Sequence, residues 1–159
     1  MKDDQSLREH VLYLLRGGGA HASFEAAIKG LSADLRGKRP KGAEHSPWEI
    51  LEHMRIAQSD ILEFSRDAKH ISPQWPAGYW PKTPAPPSAA AWTRTVRAFS
   101  ADLESMCGLV EAKSIDLFAR IPHGTGQTIL REALLVADHN TSHLGELVLV
   151  RRLLGAWGN

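Results

Sequence analysis

Cysteine is nearly missing from this sequence of 159 residues, where Cys107 stands alone. One thiol excludes an intramolecular disulfide, and cysteine by itself can build neither a four-thiolate zinc site nor an iron–sulfur cluster. Such usage fits a reducing compartment. An excess of one charge is missing too. Nineteen Lys and Arg against 18 Asp and Glu leave +1, with the basic residues scattered, which argues against a nucleic-acid or anionic-membrane surface. No run of about 18 apolar residues exists to span a bilayer. Met1 to Gly30 carries Asp3, Asp4 and Glu9 ahead of any apolar stretch, unlike a secretory signal. The expectation is a cytoplasmic protein with no nucleic-acid or membrane partner. Repeats and low-complexity tracts are lacking, so one domain over residues 1–159 is expected. At this size folding removes about 70% of the unfolded surface from water, so a metal would serve function and not folding.

The periodic segments that are present read as helices. Ser46-Pro47-Trp48-Glu49 is the best start signal: Ser46 as N-cap, Pro47 at the first helical position and Glu49 closing a capping box, with helix continuing to about Asp67. Between Ser72 and Pro87 lie six prolines, yet Trp75, Tyr79 and Trp80 make the stretch too aromatic for a plain flexible linker. Ser88 caps the next helix, whose apolar positions Trp92, Val96, Phe99, Leu103, Met106 and Val110 step by four and three, the seam of a bundle helix. Ile121-Pro122-His123-Gly124-Thr125-Gly126 interrupts the chain, and Thr128 starts a last helix to about Leu154, ended by Gly155. A first helix is expected from about Leu7 to Leu35, opened by Ser6 and Glu9 and kinked or split by Gly17-Gly18-Gly19. The expected fold is all-α: a four-helix bundle in which the long connection after the second helix permits an up-down-down-up order.

What the chain does have is histidine, eight in all. His139 and His143 lie four apart on the last helix, so both imidazoles can aim at one point. Eight shuffled histidines would give that spacing roughly 0.3–0.4 times by chance, so the pair alone does not make a site. Its face adds weight, because Val136, His139, His143, Leu147 and Val150 share the side a bundle turns inward. The bland alternative is a pair of core histidines bonded to carbonyls. His53, about two turns after the Ser46 cap, offers a third ligand from a second helix. Three histidines would hold one divalent ion with positions left open, the arrangement of catalytic sites.

The capped Trp48…His53 helix, the stretch Trp75-Pro76-x-Gly78-Tyr79-Trp80-Pro81 and Asp138-His139-Asn140-x-x-His143-Leu144-Gly145 together resemble the DinB-like superfamily over nearly the whole chain. The resemblance implies an up-down-down-up four-helix bundle, often dimeric. It also implies one metal held by His53, His139 and His143, commonly nickel or zinc, with iron or manganese as alternatives. Relatives include transferases and isomerases that use a low-molecular-weight thiol such as bacillithiol, mycothiol or glutathione. Two positions depart from the family pattern: Ser142 stands where a tyrosine is frequent and Glu146 where a glutamine is.

Glu146, one turn beyond His143, can accept a proton, orient a bound water or point along the surface. Asp60, two turns after His53, can reach a ligand imidazole or pair with an arginine. His21 can line the mouth of the site, as a partner behind a ligand or as a substrate contact, or be an ordinary surface residue. His10, His45, His70 and His123 are expected at the surface, and Cys107 as a small buried residue. Trp75, Tyr79 and Trp80 are expected chiefly to dock the proline-rich stretch. Two functions follow. One is a metal-dependent hydrolase or small-thiol-dependent transferase, acting through a metal-activated water or thiolate with Glu146 or Asp60 as base. The other is a non-enzymatic metal-binding stress or scaffold protein acting through homodimer contacts.

Overall fold

The computed structural model describes residues 2–158; Met1 and Asn159, the ends of the expected domain, and the side chains of Lys2 and Asp3 lie outside it. The described residues form five α-helices and no strand. They are α1 (Lys2–Leu15), α2 (Phe24–Ile28), α3 (Pro47–Arg66), α4 (Ala89–Glu111) and α5 (Ile129–Leu153). The caps expected at Ser46, Ser88 and Thr128 are all made. Each side-chain oxygen accepts from the backbone N–H three residues on, and at α3 Glu49 returns the bond to the Ser46 N–H.

The first helix is where expectation and structure part. Helix α1 starts at Lys2, so Ser6 and Glu9 sit inside it and form no capping box, and it stops at Leu15. Gly17 and Gly19 then take φ of +76° and +128°, and a Cβ on Gly18 would stand 2.4 Å from the Tyr13 carbonyl oxygen. Only glycine makes that reversal without strain. A fresh cap at Ser23 starts α2, which ends at Ile28, and no helix follows until Pro47.

Helix α3 packs on α4 and α5, α1 on the same two, and α2 on α5. Burial falls into two apolar clusters. One gathers Phe24, Trp48, Leu51, Trp92, Phe99 and Leu147; the other gathers Val11, Leu62, Met106, Val110, Ile129 and Val136. Between them runs a buried polar ladder: the Gln58 amide donates to the Phe99 carbonyl at 2.7 Å, and the Asn140 amide donates to Gln58 Oε1 at 2.8 Å.

Two buried arginines tie ends together without meeting one another. Arg8 donates to the carbonyls of Val110, Ala112 and Ile115, where α4 runs out of its own donors. Arg151 donates to Ala26 and Ala27 in α2 and to Ala156 beyond α5.

The connection from α3 to α4 holds a single 3-10 turn, Ala77–Tyr79. It is fastened by polar contacts and close approach instead of a ladder: Ser46 Oγ donates to the Pro84 carbonyl, and a Cβ on Gly37 would meet Ala85 Cβ at 2.4 Å. No helix among the described residues is long and apolar enough to cross a membrane.

Candidate metal centre

The capping box of α3 sets where His53 points. With Ser46 and Glu49 bonded to each other, and Arg39 paired to the Glu49 carboxylate, the first turn is fixed. His53 emerges about two turns later with only 6% of its surface exposed. It meets α5 there. His53 Nε2 lies 3.2 Å from His139 Nε2, and the His143 ring centroid is 4.6 Å from those of both His53 and His139. One ring nitrogen from each histidine lies within 4.8 Å of the other two. The three residues proposed as ligands are thus together.

Their second nitrogens show what such a group suits. His53 Nδ1–H donates to the Tyr79 main-chain carbonyl at 2.8 Å, and His143 Nδ1–H donates to Glu146 Oε2 at 2.8 Å. A proton held at Nδ1 leaves Nε2 as a lone pair. His139 Nδ1 is buried without a partner. Burial, followed by the neighbouring His143 and His53, pushes the His139 pKa down to about 4. Burial likewise pushes His53 below its ordinary value, against the Tyr79 carbonyl, which favours the charged form. Neutral imidazoles converging on one point are matched by a cation. At metal–nitrogen bonds of about 2.0–2.1 Å, neighbouring ligand nitrogens stand about 3.0–3.4 Å apart, and the 3.2 Å spacing falls in that range. The residues fit a divalent ion.

The surroundings add residues that sequence reasoning missed. Trp80 is sandwiched between two imidazoles, 4.0 Å from His53 with planes 4° apart and 3.9 Å from His45 with planes 14° apart. His45, expected at the surface, is half-buried, with Nδ1 3.3 Å from Glu146 Oε1. Glu146 therefore bridges His143 and His45. The His143 bond above all, then His45, hold its carboxylate below the ordinary range despite burial. His70, also expected at the surface, is half-buried with Nε2 2.7 Å from Asp60 Oδ1.

The profile of the DinB superfamily matches residues 19–147. The chain belongs to the DinB superfamily. Searches of curated proteins and of solved structures return no match. The superfamily match takes in α2, α3, α4 and α5 as far as Leu147, and with them all three clustered histidines; α1 precedes it.

In this DinB member the remaining expected residues fall in different places. Asp60 meets no imidazole of the cluster; its carboxylate accepts from the Tyr79 hydroxyl at 2.7 Å and from His70. Burial, and then that carboxylate, push the Tyr79 phenol up to about 12, so it stays a donor. His21 is exposed, bonded to the Ala22 carbonyl, and borders a separate cavity of about 40 Å³ with Phe24, Phe99 and Asn140. Cys107 is fully buried and burial pushes its thiol up, as a packing residue requires. Ser142 is exposed.

Proposed function

We propose that the chain is a divalent-metal-dependent enzyme in which His53, His139 and His143 hold one ion, nickel or zinc foremost, with iron or manganese as alternatives. The observation that carries this reading is the convergence of three imidazole nitrogens, two of them on rings whose Nδ1–H is engaged by a fixed acceptor. When bound, a divalent ion supplies Lewis acidity at its open positions. The protein's residues hold protons and orient rings. The Tyr79 carbonyl keeps the His53 proton at Nδ1, Glu146 does the same for His143, and burial keeps His139 neutral. Glu146, steadied by His45, is also the base available to a substrate in the site.

Three neutral ligands leave a 2+ charge uncompensated, which suits hydrolysis or transfer with a low-molecular-weight thiol. Such a thiol would come from a cosubstrate, since Cys107 is sealed in the core. The reading takes the fold as one domain, an up-down-down-up four-helix bundle with the proline- and aromatic-rich stretch 72–87 as its crossover. It takes the protein as a cytoplasmic homodimer.

Protein purified without a histidine tag is expected to carry stoichiometric metal that His143→Ala loses, with helicity by circular dichroism unchanged. Equal, sub-stoichiometric metal in both proteins would refute the site. Chelator-sensitive turnover in thiol-conjugation or in ester and amide hydrolysis assays would identify an enzyme. Its absence from all of them decides for a metal-binding stress or scaffold protein.

A further inference from the structure

Tyr79 touches α3 twice. Its main-chain carbonyl takes the His53 Nδ1–H at 2.8 Å, and its hydroxyl donates to Asp60 Oδ2 at 2.7 Å. Asp60 follows His53 by seven residues, two turns on the same face and about 10 Å along the axis. The tyrosine therefore lies lengthwise on the helix, pinned at its ring end while its backbone end receives the imidazole. The other Asp60 oxygen accepts from His70 at 2.7 Å, so both oxygens are engaged.

The next residue completes the hold. Trp80 lies flat on the His53 ring, 4.0 Å away and 4° from parallel. A hydrogen bond in the ring plane stops the imidazole turning about its own normal, and a stacked ring stops it tilting. Both restraints come from consecutive residues of a connection with one 3-10 turn and no other regular structure. A segment so poor in backbone bonds is held by its side chains, and the Tyr79 hydroxyl is the one fastened at the level of Asp60.

We propose that Asp60 and Tyr79 are positioning residues: Asp60 anchors the Tyr79 hydroxyl, and the carbonyl thus fixed holds His53 in the Nδ1–H form that turns its Nε2 toward His139 and His143. This rests on the reading of the three histidines as ligands. Outer-shell partners of ligating histidines change metal affinity by about 10–100-fold when removed. Tyr79→Phe deletes the hydroxyl and keeps the carbonyl, ring and fold, so it isolates the anchor.

The test has two arms. In the first, Zn²⁺ affinity is measured by competition with a chromophoric chelator; Tyr79→Phe and Asp60→Asn are each expected to bind about tenfold more weakly than the parent. In the second, the imidazole nitrogens of the metal-free protein are followed by ¹H–¹⁵N NMR. His53 is expected wholly as the Nδ1–H tautomer in the parent and as a mixture in both variants. Affinities within twofold of the parent and an unchanged His53 tautomer overturn the proposal. If the parent itself takes up no Zn²⁺, the ligand reading fails and the tautomer arm alone decides whether Asp60 and Tyr79 position His53.

Discussion

Replacing Arg151 by methionine tests whether the C-terminal end of the fold is held by one guanidinium. Arg151 is 5% exposed, and three carbonyl oxygens receive its donors: Ala27 at 2.7 Å, Ala26 at 3.3 Å, and Ala156 at 2.7 and 3.0 Å. No ion pair of the described residues includes it, and burial lowers its pKa. Methionine preserves most of the stem's packing and removes every donor. Each carbonyl left without a partner costs about 1–3 kcal/mol, while relief of the buried charge returns part of that sum. Taking the low end for each of the three carbonyls, the net loss is about 3 kcal/mol. For a domain of this size, 1 kcal/mol corresponds to about 2–4 °C, so Tm should fall by about 6–12 °C. Thermal unfolding followed by circular dichroism in the presence of chelator reads this directly, apart from any contribution of bound metal. Arg151→Lys, with a single nitrogen, should fall between the two. A Tm for Arg151→Met within about 2 °C of the parent would refute the argument, because it would mean that the carbonyls find other partners.

Two further outcomes are expected. In chelator, stability should decline as pH falls from about 6.5 toward 4. The pKa of His139 in the folded protein is about 4, below the unfolded value, so the unfolded chain takes up the proton first and stability present above 6.5 is lost on acidification. Urea titrations across that range should show a shallower decline for His139→Gln, and an identical slope would count against the buried neutral imidazole. Gln58→Leu should cost about 2 kcal/mol in urea unfolding, since Gln58 is 1% exposed and its loss strands the Asn140 amide and one bond to the Phe99 carbonyl. A loss below about 0.5 kcal/mol would show that the ladder contributes little.

The parts of this fold readable from residues alone are those governed by contacts three or four positions apart. The Ser46-to-Glu49 box, the Ser88 and Thr128 caps, the α4 seam and the His139/His143 pair all belong to that class. The first helix misled because apolar spacing continues through Phe24, Ala27 and Leu31, all buried, while the chain has already turned back at Gly17 and Gly19. Periodicity reports which residues face the core, not whether the backbone between them is continuous. His45 shows a different limit: its partner Glu146 lies 101 positions away, and nothing near His45 records that distance. Asp60 was legible as a residue on the same face as His53, but the tyrosine that joins them enters from outside the helix.

The two apolar clusters meet at a polar waist that carries the histidines as well as the Gln58–Asn140 ladder. Leu144, Leu147 and Val150 of α5 belong to one cluster, Ala133, Val136 and Ala137 to the other, and His139 and His143 stand in the interval. Folding and chemistry are thereby assigned to different storeys of the same helices. Each cluster buries its apolar surface whatever imidazole, carboxylate or hydroxyl occupies the waist. A scaffold divided in this way can exchange ligands or outer partners while both halves go on supplying the stability that keeps the helices in register.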